Sequence, residues 1–223
     1  FTPDVFHKLK GNCAVGHVRY STTGSSVLKN AQPLLIDYAK GTVCIAHNGN
    51  LVNSLELRRY LERRGSIFQT TTDSEIIIQL MARAQSGDFI ESLVYALRRI
   101  KGAYSLLLMN NDSLVGVRDP LGFRPLSLGK AGGAWCLASE TCAFDLIGAR
   151  FVRELEPGEI AIIDKNGFRS VRPSHLHHTK KYAFCTFEHV YFSRPDSTVF
   201  SDNVHLVRRK LGERLAVEYP IKA

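Results

Sequence analysis

No hydrophobic run in this sequence approaches the roughly 20 residues that a bilayer-spanning helix needs. The opening FTPDVFHKLKGN also lacks the apolar core of a secretory signal. Cysteine is sparse. The five, at positions 13, 44, 136, 142 and 185, form no CxxC pair and no short metal-ligand spacing, which excludes a zinc module and argues against a disulfide framework. Cys44 and Cys136 sit in the apolar runs VCIA and AWCLA, where a thiol acts as a small hydrophobe. No repeat, zinc finger or RNP-like stretch is present. These absences point to a soluble, cytoplasmic chain with no membrane partner.

What is present suits a globular protein. The 223 residues, 44% hydrophobic and 22% charged, suffice for one sizeable core. The formal charge of +8 is spread over Arg58, Arg59, Arg63 and Arg64, over Arg98, Arg99 and Lys101, and over Arg208 to Lys210. Such spacing fits solvated helix faces better than a nucleic-acid surface, with a phosphorylated or polyanionic partner as the alternative.

Along the chain, TVCIA (42 to 46) reads as a buried strand that HNGN (47 to 50) stops. A helix is expected over 54 to 64, anchored by Leu55, Leu57 and Leu61 and closed by Gly65. TTTDSEIIIQLMARAQSG predicts a second, with Thr72 and Glu75 at capping-box spacing and room to run to Gly87. A third is predicted over 88 to 101, with Phe89, Leu93, Ala96 and Leu97 on one face. After Gly102 come short β-like runs separated by Asn-Asp, Asp-Pro, Gly-Gly, Pro-Gly and Asn-Gly signals, which favour antiparallel pairing. Two packed sheets with helices outside follow, an α+β architecture. From about 173 the chain becomes a polar connector, then the aromatic YAFCTFEHVYF, which must pack somewhere, then a helix ending before Pro220.

Three segments have chemistry to offer. In HNG, the Asn48 carboxamide beside the Gly49 N–H can supply two donors to one oxyanion, although Asn-Gly is also the commonest tight hairpin turn. His47 is a weak base candidate that a strand end would hold equally well in a polar gap. GHVRYSTTG carries Arg19 and several hydroxyls, and an arginine fork pairs with a carboxylate unless an internal salt bridge takes it. Asp73 lies in the first turn of a helix, where capping alone would explain it. Together, an exposed Asp73 carboxylate, Arg19 and the Asn48–Gly49 donors would recognise both charged ends of an α-amino acid.

GHVRYSTTG, AHNGNLVN and QTTTDSE resemble the class II glutamine amidotransferases. GAYSLLLM, VRDPLGFRPLSLG, ASETCAF and ELEPGEI match in the same order, and FEHVYFSRPDS followed by VHLVRRKLGERLA narrows the resemblance to the amidophosphoribosyltransferase family. The resemblance implies an N-terminal-nucleophile hydrolase fold, a four-layer αββα sandwich of two mostly antiparallel sheets. It also implies a cysteine that attacks glutamine to form a thioester, and ammonia delivered to phosphoribosylpyrophosphate. By the same resemblance, Arg19 and Thr22 hold the glutamine α-carboxylate, Asn48 and Gly49 form the oxyanion hole, and Asp73 meets the α-ammonium. Cys185 matches one ligand of a 4Fe–4S cluster, Mg²⁺ belongs to the transferase domain, and the whole protein is a homo-oligomer. The nearest alternatives are the glutaminase half of glucosamine-phosphate synthase and a non-catalytic basic binding module.

Residue 1 is Phe rather than Cys, and His189, Ser193 and Phe123 stand where the family usually has Tyr, Ala and Asn. The expectation is an incomplete glutaminase domain over 1–172, with 173–223 leading into the transferase domain, and a chain inactive by itself with an unpaired sheet edge.

Overall fold

Near-continuous apolar runs build the central sheet and give it two dry faces. The computed structural model describes residues 4, 8, 10–18, 27–176 and 182–221. Six strands, β1 (Leu34–Tyr38), β2 (Gly41–Leu51), β3 (Gly102–Met109), β4 (Ser113–Arg118), β8 (Ile160–Asp164) and β9 (Gly167–Val171), pair in that spatial order, every neighbour antiparallel. The connection from β4 to β8 contains a second sheet of β5 (Ser127–Ala131), β6 (Ala134–Ala138) and β7 (Arg150–Glu154), ordered β6-β5-β7.

One face of the large sheet presents Ile45, Leu106, Leu108, Val115, Val117 and Ile160 to helices α1 (Ser54–Glu62), α2 (Ser74–Ala82) and α3 (Phe89–Leu97). Ile76, Ile77, Leu80 and Met81 of α2, with Leu93 and Leu97 of α3, complete that core. The opposite face, through Leu107 and Ala161, meets Leu126, Leu128 and Leu155 of the smaller layer. Gly116 lets the layers close up, since a Cβ there would lie 2.7 Å from Leu137 Cδ1. On the outside of the small sheet, Gly129 faces the ring of Phe144 in α4 (Cys142–Leu146). Helices, sheet, sheet and helix stack as the four-layer αββα architecture expected.

Several local expectations change. HNGN does not stop β2. His47, Asn48, Gly49 and Leu51 stay in the ladder opposite Leu106, Ser105, Tyr104 and Gly102, so Asn48–Gly49 is strand and not hairpin turn. The Thr72–Glu75 capping box does not form. Glu75, 1% exposed, instead accepts from Gln69 N, Thr70 N and Thr70 Oγ1 at 2.7–2.8 Å, drawing the entry loop around itself. The helix ends at Ala82, short of Gly87. Leu61 anchors α1, but Leu55 is 60% exposed. Asp88 caps α3 as a β-region N-cap, accepting from Glu91 N at 2.8 Å.

Lys40, in the β1–β2 turn, closes the end of α2. Its ammonium donates to Ala84 O (2.6 Å), Ser86 O (2.7 Å) and Met81 O (3.2 Å) and also reaches Ser92 Oγ (3.1 Å). A cation there satisfies orphan carbonyls and complements the helix dipole. Lys40→Met, which keeps the apolar stem, is expected to lower stability by about 2 kcal/mol, read as a lower urea midpoint at unchanged slope.

The segment after 182 straps back onto the small-sheet side. Ala183 N and Cys185 N donate to Leu121 O and Phe123 O, and Arg124 pairs with Glu188 at 2.6 Å. Glu140 accepts from Arg194 N and Ser197 Oγ at 2.7 and 2.8 Å. The aromatic run packs differently from expectation. Glu188 and His189 are buried in the π-helical turn Glu188–Phe192, whereas Phe187, Tyr191 and Phe192 are exposed. The ion pair and the Ser193 hydroxyl on Glu188 decide which side turns inward. The strap continues through a tight hairpin of β10 (Thr198–Val199) and β11 (Asp202–Asn203). Helix α5 (Val204–Glu218) follows, with Val204 as its buried residue.

Candidate functional site

The end of β2 is held by its neighbours on both sides. Gly49 has φ +149°, and a Cβ there would fall 2.0 Å from Ala103 O and 2.9 Å from His47 Nε2. Only glycine lets the two backbones approach this closely. On β3, Tyr104 lies opposite Gly49 and Ser105 opposite Asn48. Ser105 in turn pairs with Arg118 at the end of β4, and Tyr104 O accepts from Asp119 N at 2.8 Å. The RDPLGFRP turn thus buttresses the Asn-Gly segment from behind.

Strand alternation turns His47, Gly49 and Leu51 toward the helices and Asn48, half-buried, toward the other face. Asp73, the residue preceding α2, comes onto the helix side. It was expected to be an exposed or helix-capping carboxylate, and it is neither. It is 5% exposed and makes no side-chain cap. Its Oδ2 accepts from Leu51 N at 2.9 Å, and its Oδ1 faces His47 Nδ1 at 3.4 Å. The reason is that β2 ends beneath the start of α2, so the N–H of Leu51 and the imidazole offer Asp73 better partners than its own helix.

Burial pushes the Asp73 carboxyl up, but the hydrogen bond and charge of His47, with the N–H of Leu51, outweigh it and hold the group below the ordinary Asp value. Asp73 is therefore an ionised group in a nearly dry setting. His47, its side chain 1% exposed, also has Ser74 Oγ at 3.4 Å from Nδ1 and Ala103 O at 3.5 Å from Nε2.

Asn48, Gly49 and Asp73 lie at one strand end, Asp73 on the helix side and the Asn48 side chain on the other face. Arg19 and Thr22 lie outside the described residues. Cys185 stands apart on the strap, half-buried, its N–H on Phe123 O. Among the described residues, no group of three or more His, Cys, Asp or Glu is placed to hold a metal. No helix among them is long and apolar enough to cross a membrane. The contribution least visible in the sequence is that of His47 and Ser74. Their only signal is placement, one just before the Asn-Gly pair and the other just after Asp73.

Residues 17–145 match the family model described as a glutamine amidotransferase domain. The chain is 47% identical over 99% of its length to amidophosphoribosyltransferase 2, chloroplastic, of Arabidopsis thaliana, covering 39% of that protein. It is 44% identical over 97% of its length to amidophosphoribosyltransferase of Bacillus subtilis, covering 45%. The solved glutamine phosphoribosylpyrophosphate amidotransferase from B. subtilis, complexed with ADP and GMP, superposes with a TM-score of 0.86. That match has 42% identity and covers 93% of this chain and 44% of that one. The chain spans less than half the length of these relatives. Two mainly antiparallel sheets flanked by helices are the N-terminal-nucleophile arrangement of those structures. The chain belongs to the glutamine amidotransferase domain family, as a homologue of the glutaminase module of the amidophosphoribosyltransferases.

Proposed function

We propose that this chain is the glutaminase portion of a cytoplasmic amidophosphoribosyltransferase of purine synthesis. Glutamine is bound at the end of β2 and hydrolysed through a cysteinyl thioester. The ammonia then displaces pyrophosphate from phosphoribosylpyrophosphate, giving 5-phosphoribosylamine. In this reading residues 1–172 form the glutaminase part, and 173–223 lead into a transferase domain that uses Mg²⁺. A 4Fe–4S cluster with Cys185 as one ligand and homo-oligomerisation belong to the whole protein, and no step here depends on them.

The observation that carries the reading is Asp73: a carboxylate kept ionised with little exposure, suspended from Leu51 beside the Asn48–Gly49 segment. A substrate α-ammonium supplies the positive charge that such a group is built to meet. Arg19, with Thr22, takes the α-carboxylate. The Asn48 amide and the Gly49 N–H donate to the oxygen of the side-chain carboxamide as it becomes a tetrahedral oxyanion, where donors fixed in advance contribute most. The thiol is assigned to no residue of this sequence, and ligand binding tests the site directly.

Calorimetry is expected to show L-glutamine binding at least about tenfold more tightly than its des-amino analogue, 5-amino-5-oxopentanoate. Asp73→Asn should erase most of that difference. Because Asp73 is held below its ordinary value, the preference should persist as the pH falls to about 4 and be lost only below it. Equal binding of the two ligands at neutral pH would sink the assignment.

A further inference from the structure

His47 lies between the two parts of the site. Its Nδ1 faces the Asp73 carboxylate at 3.4 Å, and its Nε2 occupies the space against Gly49 that a Cβ would enter, 2.9 Å away. Ala103 O, at 3.5 Å from Nε2, and Ser74 Oγ, at 3.4 Å from Nδ1, bracket the ring on either side. Its side chain is 1% exposed, with groups of the protein facing both ring nitrogens. A ring held on both sides fixes the distance between the strand and the carboxylate.

We propose that His47 is a positioning residue: wedged between Gly49 and Asp73, it aims the carboxylate at the α-ammonium of the bound amino acid. This rests on the glutamine-site reading above. A carboxylate only accepts hydrogen bonds, so in the proposed role Nδ1 carries the proton and Nδ1–H does the aiming. Leu51 N fixes one oxygen of Asp73; without His47 the carboxylate would keep that tether and lose its orientation about it.

The test compares L-glutamine with 5-amino-5-oxopentanoate on the wild-type chain, His47→Leu and His47→Asn, with thermal melts to establish folding. Asn places an amide N–H near the position of Nδ1; Leu fills the volume and donates nothing. In His47→Leu, glutamine affinity is expected to fall about tenfold, to the level of the des-amino ligand, whose own binding changes less than about twofold. His47→Asn should hold glutamine within about threefold of wild type. Should His47→Leu not fold, His47→Gln, whose amide reaches the Nε2 position instead, takes its place with the same expected loss. Retained preference for glutamine in the Leu or Gln variant would overturn the inference alone. So would equal weakening of both ligands, which marks a merely structural role. A wild-type chain that does not distinguish the ligands would overturn the site reading and this inference with it.

Discussion

Gly49→Ala is expected to cost more than about 3 kcal/mol and to remove glutamine binding, even if the protein is kept folded at low temperature. Two effects combine. The φ of +149° lies where an L side chain is strained, at about 1–3 kcal/mol. The added methyl would also lie 2.0 Å from Ala103 O and 2.8 Å from Ala103 C, both backbone atoms that no rotamer change can move aside. Relief requires β2 and β3 to separate at the point where Asn50 pairs with Ala103. Urea unfolding with paired glutamine titration measures both losses. An alanine variant within about 1 kcal/mol of wild type would mean that the strands are not in this register. Gly41→Ala is the internal control, since nothing lies within 4 Å of a Cβ there and its φ of +111° isolates the backbone effect.

Arg118→Ala is expected to be nearly as damaging, at about 4 kcal/mol, although Arg118 touches no proposed ligand. Its side chain is 6% exposed. The guanidinium donates to Leu155 O (2.5 Å), Arg124 O (3.0 Å) and Gly122 O (3.2 Å), and reaches Glu154 at 3.3 Å. Truncation removes four hydrogen bonds at once, and although Arg124 O keeps Ser105 Oγ and Glu154 keeps Ser201 N, unmade buried bonds cost more than made ones contribute. Arg118→Lys should recover less than half, because three donors on a point charge cannot reproduce the planar fork. Thermal and urea unfolding of the two variants decide the matter, and full recovery by Lys would show that charge alone matters. A secondary loss of glutamine affinity is expected, because Arg118 pairs with Ser105, which lies opposite Asn48.

Elements whose signals are local were legible in the sequence. GAYSLLLM is a short β-like run and forms a strand, and the apolar face of Phe89, Leu93, Ala96 and Leu97 forms the third helix. What escaped sequence reasoning depends on partners distant along the chain. HNGN carries turn residues, yet β3, more than fifty positions later, keeps it in the ladder. Glu75 has capping-box spacing, but the entry loop at Gln69 and Thr70 presents it with N–H groups already pointing inward. The candidate site follows the same rule. Residue chemistry singled out Asn48, Gly49 and Asp73, but nothing in their spacing tells that Asp73 would turn from its own helix to Leu51. His47 was undervalued because a histidine's meaning lies in its neighbours, and those neighbours are set by which helix crosses which strand.

The small sheet interrupts the large one in chain order: β5, β6 and β7 are threaded between β4 and β8. Strand β4 therefore keeps an open flank until Ile160 to Asp164 arrive to pair with it. Ribosomal synthesis must pass that point before Val115 and Val117 find their ladder partners, Ile162 and Ile160. Until then the nascent polypeptide exposes a sticky border, and closing the gap means closing a loop of more than forty residues. Assembly should accordingly be slow and all-or-none, with both layers appearing together in pulse-labelled hydrogen exchange.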